Sequence, residues 1–297
     1  LSLWFWEKIQ KMPLSKLTKQ WVAAKLPKRP KDANKGTFGK VLVIAGSESY
    51  PGAAYLACAA CYRVGAGLVT LATIPVVQNI VSKKLPEVTF IILPDETIYE
   101  KLYDYDVILI GPGLGRTNST AEFIKKLLTL HDLPSIVIDG DGLSILAKID
   151  NWWKKIKTDA VLTPHPGEMA RLTNLSVEAI QKNRIKLAQD YANEWHQVVV
   201  LKGANTIIAS FTGERMISSF ANPALATAGT GDVLSGIIAG FVAQGLDNFD
   251  AACCGVYIHG LAGEMVKEEI GNAGALASDL LPFLPKALIH VAKHWIC

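Results

Sequence analysis

The chain has 297 residues, half of them hydrophobic and 19% charged, with a formal net charge of +3. That length supports one large α/β domain or two small ones, and the apolar fraction with only five cysteines excludes intrinsic disorder, a collagen-like repeat and a disulfide scaffold. The charge is unevenly distributed: residues 1–40 hold ten Lys/Arg against Glu7 and Asp32, whereas residues 41–297 hold twenty against twenty-five acids.

The basic leader opens on Leu1-Ser2-Leu3-Trp4-Phe5-Trp6 and stops at Glu7, so its apolar stretch precedes its charges, the reverse of a secretory signal. Its lysines are spaced by Leu, Trp and Ala, which disfavours a nucleic-acid arm. The remaining reading is an amphipathic helix over residues 14–25, ended by Pro27 and followed by a linker through Lys35. Residues 40–45 (KVLVIA) then read as a buried strand, 52–65 as a helix of small residues, and 68–72 as a second strand. Residues 106–110 (DVILI) run into the turn Gly111-Pro112-Gly113-Leu114-Gly115, with a helix over 121–130. Strands follow at 135–139 (SIVID), 160–163 (AVLT) and 198–202 (VVVLK), with a long amphipathic helix over 177–195. Residues 206–209 and 215–218 bracket Thr212-Gly213 as a hairpin, and 231–245, 248–267 and 277–293 are helical.

Cys58 and Cys61 form a C-x-x-C, but they sit in an Ala-rich helix with no second Cys/His pair at zinc spacing. With Cys253, Cys254 and Cys297 they read as buried thiols of a reducing compartment. No run reaches the ~18 uncharged apolar residues of a membrane span. The nearest, residues 233–246 with Gly236-x-x-x-Gly240, reads as a buried helix. A cytoplasmic protein is the expectation.

Apolar strands alternating with helices mean an α/β fold, a mostly parallel central sheet with helices on both faces, whose ligands bind at the carboxyl ends of the strands. The informative residues should follow strands. Ala226-Thr227-Ala228-Gly229-Thr230-Gly231-Asp232 precedes a helix, so its backbone N–H groups and the helix end suit a phosphate. Asp232 either caps that helix or serves as general base on a hydroxyl held beside the phosphate. A P-loop and a G-x-G-x-x-G fingerprint are both missing, which disfavours hydride transfer. Gly111–Gly115 is either a ligand approach or a structural turn. His165, stiffened between Pro164 and Pro166, is read as a substrate contact in preference to a surface loop residue. Lys202-Gly203-Ala204-Asn205-Thr206 offers a cation, a Gly and an amide. Asp139-Gly140-Asp141-Gly142 is read as Asx turns ahead of a Mg²⁺ site.

Together Lys35–Gly39, Gly46–Ala54, Gly111–Gly115, Leu162–Glu168, Lys202–Thr206 and Asn222-Pro223…Asp232 resemble the ADP/ATP-dependent NAD(P)H-hydrate dehydratase family, which has a ribokinase-like fold. The resemblance runs from about residue 34 to the end. It implies domains at 1–33 (leader) and 34–297 (dehydratase), with repair of NADH and NADPH hydrated at C6, using a nucleotide and Mg²⁺. The hydroxyl of the S-epimer would be phosphorylated and phosphate would depart. Asp232 would be the catalytic residue and a substrate contact, with Ala54, Gly113 and His165 touching the hydrated dinucleotide. Lys202, Gly203, Ala204, Asn205, Thr206 and Gly231 would bind the adenine nucleotide, ADP in preference to ATP, as the bacterial form of the His165 motif implies. The metal ligands stay unassigned. A homo-oligomer, a tetramer, is what the family's habit implies, with no nucleic-acid or membrane partner. Asn34 stands where the family often has His, and Ala224-Leu225 where it often has Gly-Met, which touches fine substrate contacts. Residues 17–30 (LTKQWVAAKLPKRP) resemble the segment joining an epimerase domain to this one in bifunctional members, and with Leu1 in place of Met they point to a piece of a longer protein. The rivals are a vitamin-pathway kinase of the same fold and an inactive nucleotide-binding module.

Overall fold

The computed structural model describes residues 13–292. The aromatic opening of the leader, Lys293 at the end of the last expected helix, and Cys297 lie outside the described residues. Among those described, ten strands form one sheet: β1 (Ser15–Lys16), β2 (Lys40–Ile44), β3 (Leu68–Thr73), β4 (Thr89–Ile92), β5 (Val107–Ile110), β6 (Ser135–Ile138), β7 (Ala160–Leu162), β8 (Val198–Leu201), β9 (Ile207–Ala209) and β10 (Arg215–Ile217). The helices are α1 (Lys19–Lys25), α2 (Pro51–Arg63), α3 (Pro75–Lys84), α4 (Ile98–Lys101), α5 (Asn118–Leu127), α6 (Asp141–Leu146), α7 (Pro166–Thr173), α8 (Val177–Lys182), α9 (Arg184–Trp195), α10 (Thr230–Ala243), α11 (Asn248–Ile270) and α12 (Phe283–Val291).

The strand order is β1-β10-β9-β8-β7-β6-β5-β2-β3-β4, parallel except where β9 meets β8 and β10. Two-residue periodicity divides β2 between two cores. Val41 and Val43 face the layer of α2, α10 and α11, and Leu42 and Ile44 face the layer holding α5, α6, α7 and α9. From β2 the chain winds one way to β3 and β4, and from β5 it winds the other way to β8. The β2/β5 boundary is therefore a topological switch point, where loops part and leave a crevice.

Gly236 and Gly240 explain how α10 reaches the sheet centre. A Cβ on Gly236 would lie 2.3 Å from the Ala57 carbonyl, so the two glycines let α10 press against α2. Cys58, Cys61, Cys253 and Cys254 are free and buried, and burial raises their thiol pKa values, which leaves them as inert packing.

Four expectations change. Residues 15–16 extend the sheet as β1 instead of belonging to a helix, pairing in parallel with β10. Leu17, Val22 and Leu26 are 3%, 0% and 4% exposed, because their side chains complete the core beside α11 and α12. The Arg29 guanidinium lies 3.5 Å from the Phe38 ring centroid and donates to the Gly65 carbonyl, so packing extends across the expected linker. The 177–195 helix breaks at Asn183, whose φ of −128° leaves the helical range, into α8 and α9. The last helix is a 3-10 turn, Ala277–Leu280, followed by α12.

Candidate active site

At the switch point the loops after β2 and β5 lock together. The Gly46 N–H donates to the Pro112 carbonyl at 2.9 Å and the Ser47 hydroxyl to the Gly113 carbonyl at 2.8 Å. Gly111 has φ +121°, and a Cβ there would lie 2.0 Å from the Asp139 carbonyl. The glycine turn is thus a backbone clamp between two loops, and it also places Gly113 on the wall of a hollow of about 270 Å³. Tyr50, Ala53, Glu168 and Asp232 share that wall. Through Tyr50, Arg116 and Asp141 the hollow runs into a cleft of about 1110 Å³.

A charged cluster stands beside the hollow and reaches it through Glu168 and Asp232. Asp139, 2% exposed at the end of β6, accepts from Lys202 Nζ at 2.7 Å and from the Thr163 hydroxyl at 2.7 Å. Lys202, at the end of β8, also lies 3.8 Å from Glu168 Oε2. Burial opposes the Lys202 charge, but Asp139 and Glu168 outweigh it and hold the ammonium above its usual range. Asp232 stands on the first turn of α10, whose N-cap, Gly229 at φ +94°, makes no side-chain cap bond. Burial pushes Asp232 up to about 7, with Asp139 adding to the rise and Lys202 opposing it. Glu168 is likewise raised to about 7 by burial and Asp139 against the pull of Lys202. Three carboxylates around one ammonium leave a proton to be shared near neutral pH.

The expected site residues separate into groups. Asp232 and Gly113 meet at the hollow, and Gly231, next to Asp232, lies beside the charged cluster, a Cβ on it falling 3.2 Å from Lys202 Nζ. His165 caps α7: its Nδ1 accepts from the N–H groups of Gly167 (3.0 Å) and Glu168 (3.4 Å). The ring proton therefore sits on Nε2, 3.5 Å from Glu168 Oε1. Burial lowers the His165 pKa, as do Lys202 and Arg171, so the half-exposed ring is neutral. Ala54 is fully buried under the Gly46 loop, and its neighbour Ala53 lines the hollow in its place. Lys202 points into the cluster, whereas Gly203, Ala204 and Asn205 are exposed on a rim. The Asn205 side chain donates to the Ser218 carbonyl and the Thr206 hydroxyl to the Gly203 carbonyl, which fixes the shape of the rim.

Asp139 and Glu168 are the members whose roles the sequence did not disclose. Their signal was an acid at the end of an otherwise apolar strand and another at the third position of a proline-led helix. Among the described residues no group of three or more His, Cys, Asp or Glu is arranged to hold a metal ion. Asp139 Oδ1 accepts from both Lys202 and Thr163, and Glu168 Oε2 accepts the backbone N–H of His165 at 2.8 Å. These residues do not make a protein cage for Mg²⁺.

No helix among the described residues is long and apolar enough to cross a membrane. The family model described as NAD(P)H-hydrate dehydratase matches residues 41–286. A bifunctional NAD(P)H-hydrate repair enzyme of Moorella thermoacetica is 42% identical over 283 residues, covering 92% of this chain and 53% of that protein. The chain thus spans about half the length of that relative. It covers 96% of an ADP-dependent (S)-NAD(P)H-hydrate dehydratase of Bacillus subtilis, with 35% identity over 91% of its own length. The crystal structure of the ADP/ATP-dependent NAD(P)H-hydrate dehydratase from Bacillus subtilis, co-crystallised with ATP/Mg²⁺, superposes with a TM-score of 0.84 at 34% identity, covering 94% of this chain and 99% of that one. The sheet and its helices are thus the ribokinase-like fold that the motifs imply. With the glycine turn, Asp232 and the strand-end cluster in place, and the match running through nearly all of the folded body, the chain belongs to the NAD(P)H-hydrate dehydratase family.

Proposed function

We propose that this chain dehydrates the S-epimer of hydrated NADH and NADPH, using ADP in preference to ATP. The observation that carries the reading is Asp232. It is a partly buried carboxyl held near pH 7 at the start of α10, on the wall of the hollow and beside the Lys202–Asp139 pair. A base titrating near neutrality is matched to taking a proton from a hydroxyl. As Asp232 takes the proton of the C6 hydroxyl, that oxygen bonds to the terminal phosphorus and the bridging P–O bond of the nucleotide breaks. The ring nitrogen's lone pair then expels phosphate from C6, and loss of a C5 proton restores the double bond. The products are NADH, AMP and phosphate. Hydroxide alone is a poor leaving group, which is why the nucleotide is consumed.

The N–H groups opening α10 stabilise charge on the moving phosphoryl group, and Lys202 supplies positive charge beside it. Gly113 and His165 contact the dinucleotide, Ala53 taking the place of Ala54 on the wall, while Gly203–Thr206 and Gly231 take the nucleotide. Mg²⁺ would arrive on the nucleotide's phosphates, as Mg²⁺ commonly does, and would neutralise charge there. We place the protein in the cytoplasm as a homotetramer of dehydratase domains, working with an NAD(P)H-hydrate epimerase. The test is incubation with hydrated NADH, Mg²⁺ and either ADP or ATP. Recovery of NADH absorbance, faster with ADP, is expected; no recovery, with a stable phosphorylated product, would assign a kinase instead.

A further inference from the structure

We propose that His259 is a positioning residue for the nucleotide turn, strengthening the Gly231 N–H as a phosphate donor through the Thr230 carbonyl. This rests on the dehydratase reading for its substrate and on the geometry for its mechanism. His259 lies on α11, outside the hollow, and its Nε2 is 2.9 Å from the Thr230 carbonyl oxygen. A carbonyl only accepts, so Nε2 carries the proton. Burial, helped by Lys202, pushes His259 down to about 4, so the ring donates while neutral and adds no charge next to the Lys202 cluster.

The Thr230 carbonyl and the Gly231 N–H are the two ends of one peptide unit. Gly231 is the second residue of α10, and the first-turn N–H groups of a helix have no acceptor within it. A Cβ on Gly231 would lie 3.2 Å from Lys202 Nζ and 4.0 Å from Asp139 Oδ2, so the residue sits against the charged cluster. A hydrogen bond given to a peptide's oxygen polarises that peptide and makes its N–H a stronger donor. His259, the peptide and the phosphate would then form a chain of three dipoles aligned head to tail. The turn does not need His259 to hold its shape. The Thr230 hydroxyl already donates to the carbonyls of Leu225 (2.8 Å) and Thr227 (2.9 Å), and the Thr227 hydroxyl to that of Ala275 (3.1 Å). The histidine bond is added to a turn that is already tied.

The test compares His259→Leu, which removes the donor, with His259→Gln, whose side-chain amide reaches the same oxygen. Ile258→Ala, a neighbour on α11 that is fully buried, reports general loosening of the helix. ADP affinity by calorimetry, KM for ADP and for the hydrate, kcat and Tm are measured on the full chain. For His259→Leu, ADP affinity and kcat are expected to fall about two- to threefold, in line with the weakening of one hydrogen bond to a charged group once its donor peptide is no longer polarised, with KM for the hydrate unchanged. His259→Gln restores most of that loss, and Ile258→Ala lowers Tm without moving ADP affinity. The proposal is overturned if His259→Leu binds ADP like the parent, if His259→Gln is no better than His259→Leu, or if Ile258→Ala reproduces the loss. A parent protein that binds ADP but does not turn over the hydrate sinks the dehydratase reading and leaves this one to the calorimetry.

Discussion

At the scale of single residues, Asp232 and Lys202 set the chemistry against each other. Asp232→Asn keeps the shape and removes the base, so kcat should drop by about 10²–10⁴ with ADP affinity retained. Single-turnover measurements on that variant check it, and a rate near that of the parent would take Asp232 out of the base role. Because Asp232 titrates at about 7, kcat/KM should climb with pH to a plateau above that value. Lys202→Gln removes the cation that lowers both Asp232 and Glu168, so the ascending limb should move to higher pH. An unmoved limb would show that Lys202 does not act on Asp232. Gly229 at φ +94° tests the turn. A Cβ there meets Leu56 Cδ1 at 2.7 Å, so Gly229→Ala should cost about 1–3 kcal/mol in chemical denaturation and impair turnover. Asp232 and the glycine turn were legible because they are contiguous and precede a helix. Asp139 was not, since its partner Lys202 is distant in sequence and only the parallel winding of β6, β7 and β8 brings the two strand ends together. His165 shows the converse: its proline-flanked position was visible, but the use of Nδ1 as a helix cap depends on where α7 begins.

Among elements, the strands were readable wherever both faces are buried, as in β2, β5, β6 and β8. β4 was missed because Thr89 and Ile92 are exposed and the run is short, which blurs the apolar signal. The leader's helix was legible, as α1 lies within it, but its docking on the body was not, for a related reason. Leu17, Val22 and Leu26 are too few to outweigh the lysines in a compositional reading, yet each is buried against the body. Leu17 is 3% exposed and its N–H is bonded to the Ile217 carbonyl. Leu17→Ala should therefore destabilise the whole domain by about 2–5 kcal/mol. Denaturation curves would show it, and a change under ~0.5 kcal/mol would mean that the segment is only loosely docked.

For the whole molecule, the clustered charge makes stability depend on pH in a particular window. Asp232 and Glu168 titrate at about 7 when folded and near 4 when unfolded, so the folded state holds more protons between those values. Their protonation favours folding below that range, and the benefit is lost as pH rises through 7. His259 acts oppositely: depressed to about 4 against an unfolded value near 6.5, it withdraws stability as pH falls below 6.5. The nucleotide-free chain should thus lose Tm between pH 6.5 and 8, and Asp232→Asn should flatten the slope; a Tm that rises over that window would refute the assignment.

The two-residue strand β1 has one more consequence. It lies on the outer side of β10, covering peptide groups that would otherwise offer themselves to a strand from another molecule, and it carries Lys16 there. The basic segment is in this sense a guard against unwanted partners. A chain cut at residue 34 would lose the core contacts of Leu17, Val22 and Leu26 as well, and should be less stable and form concentration-dependent aggregates through the bared edge.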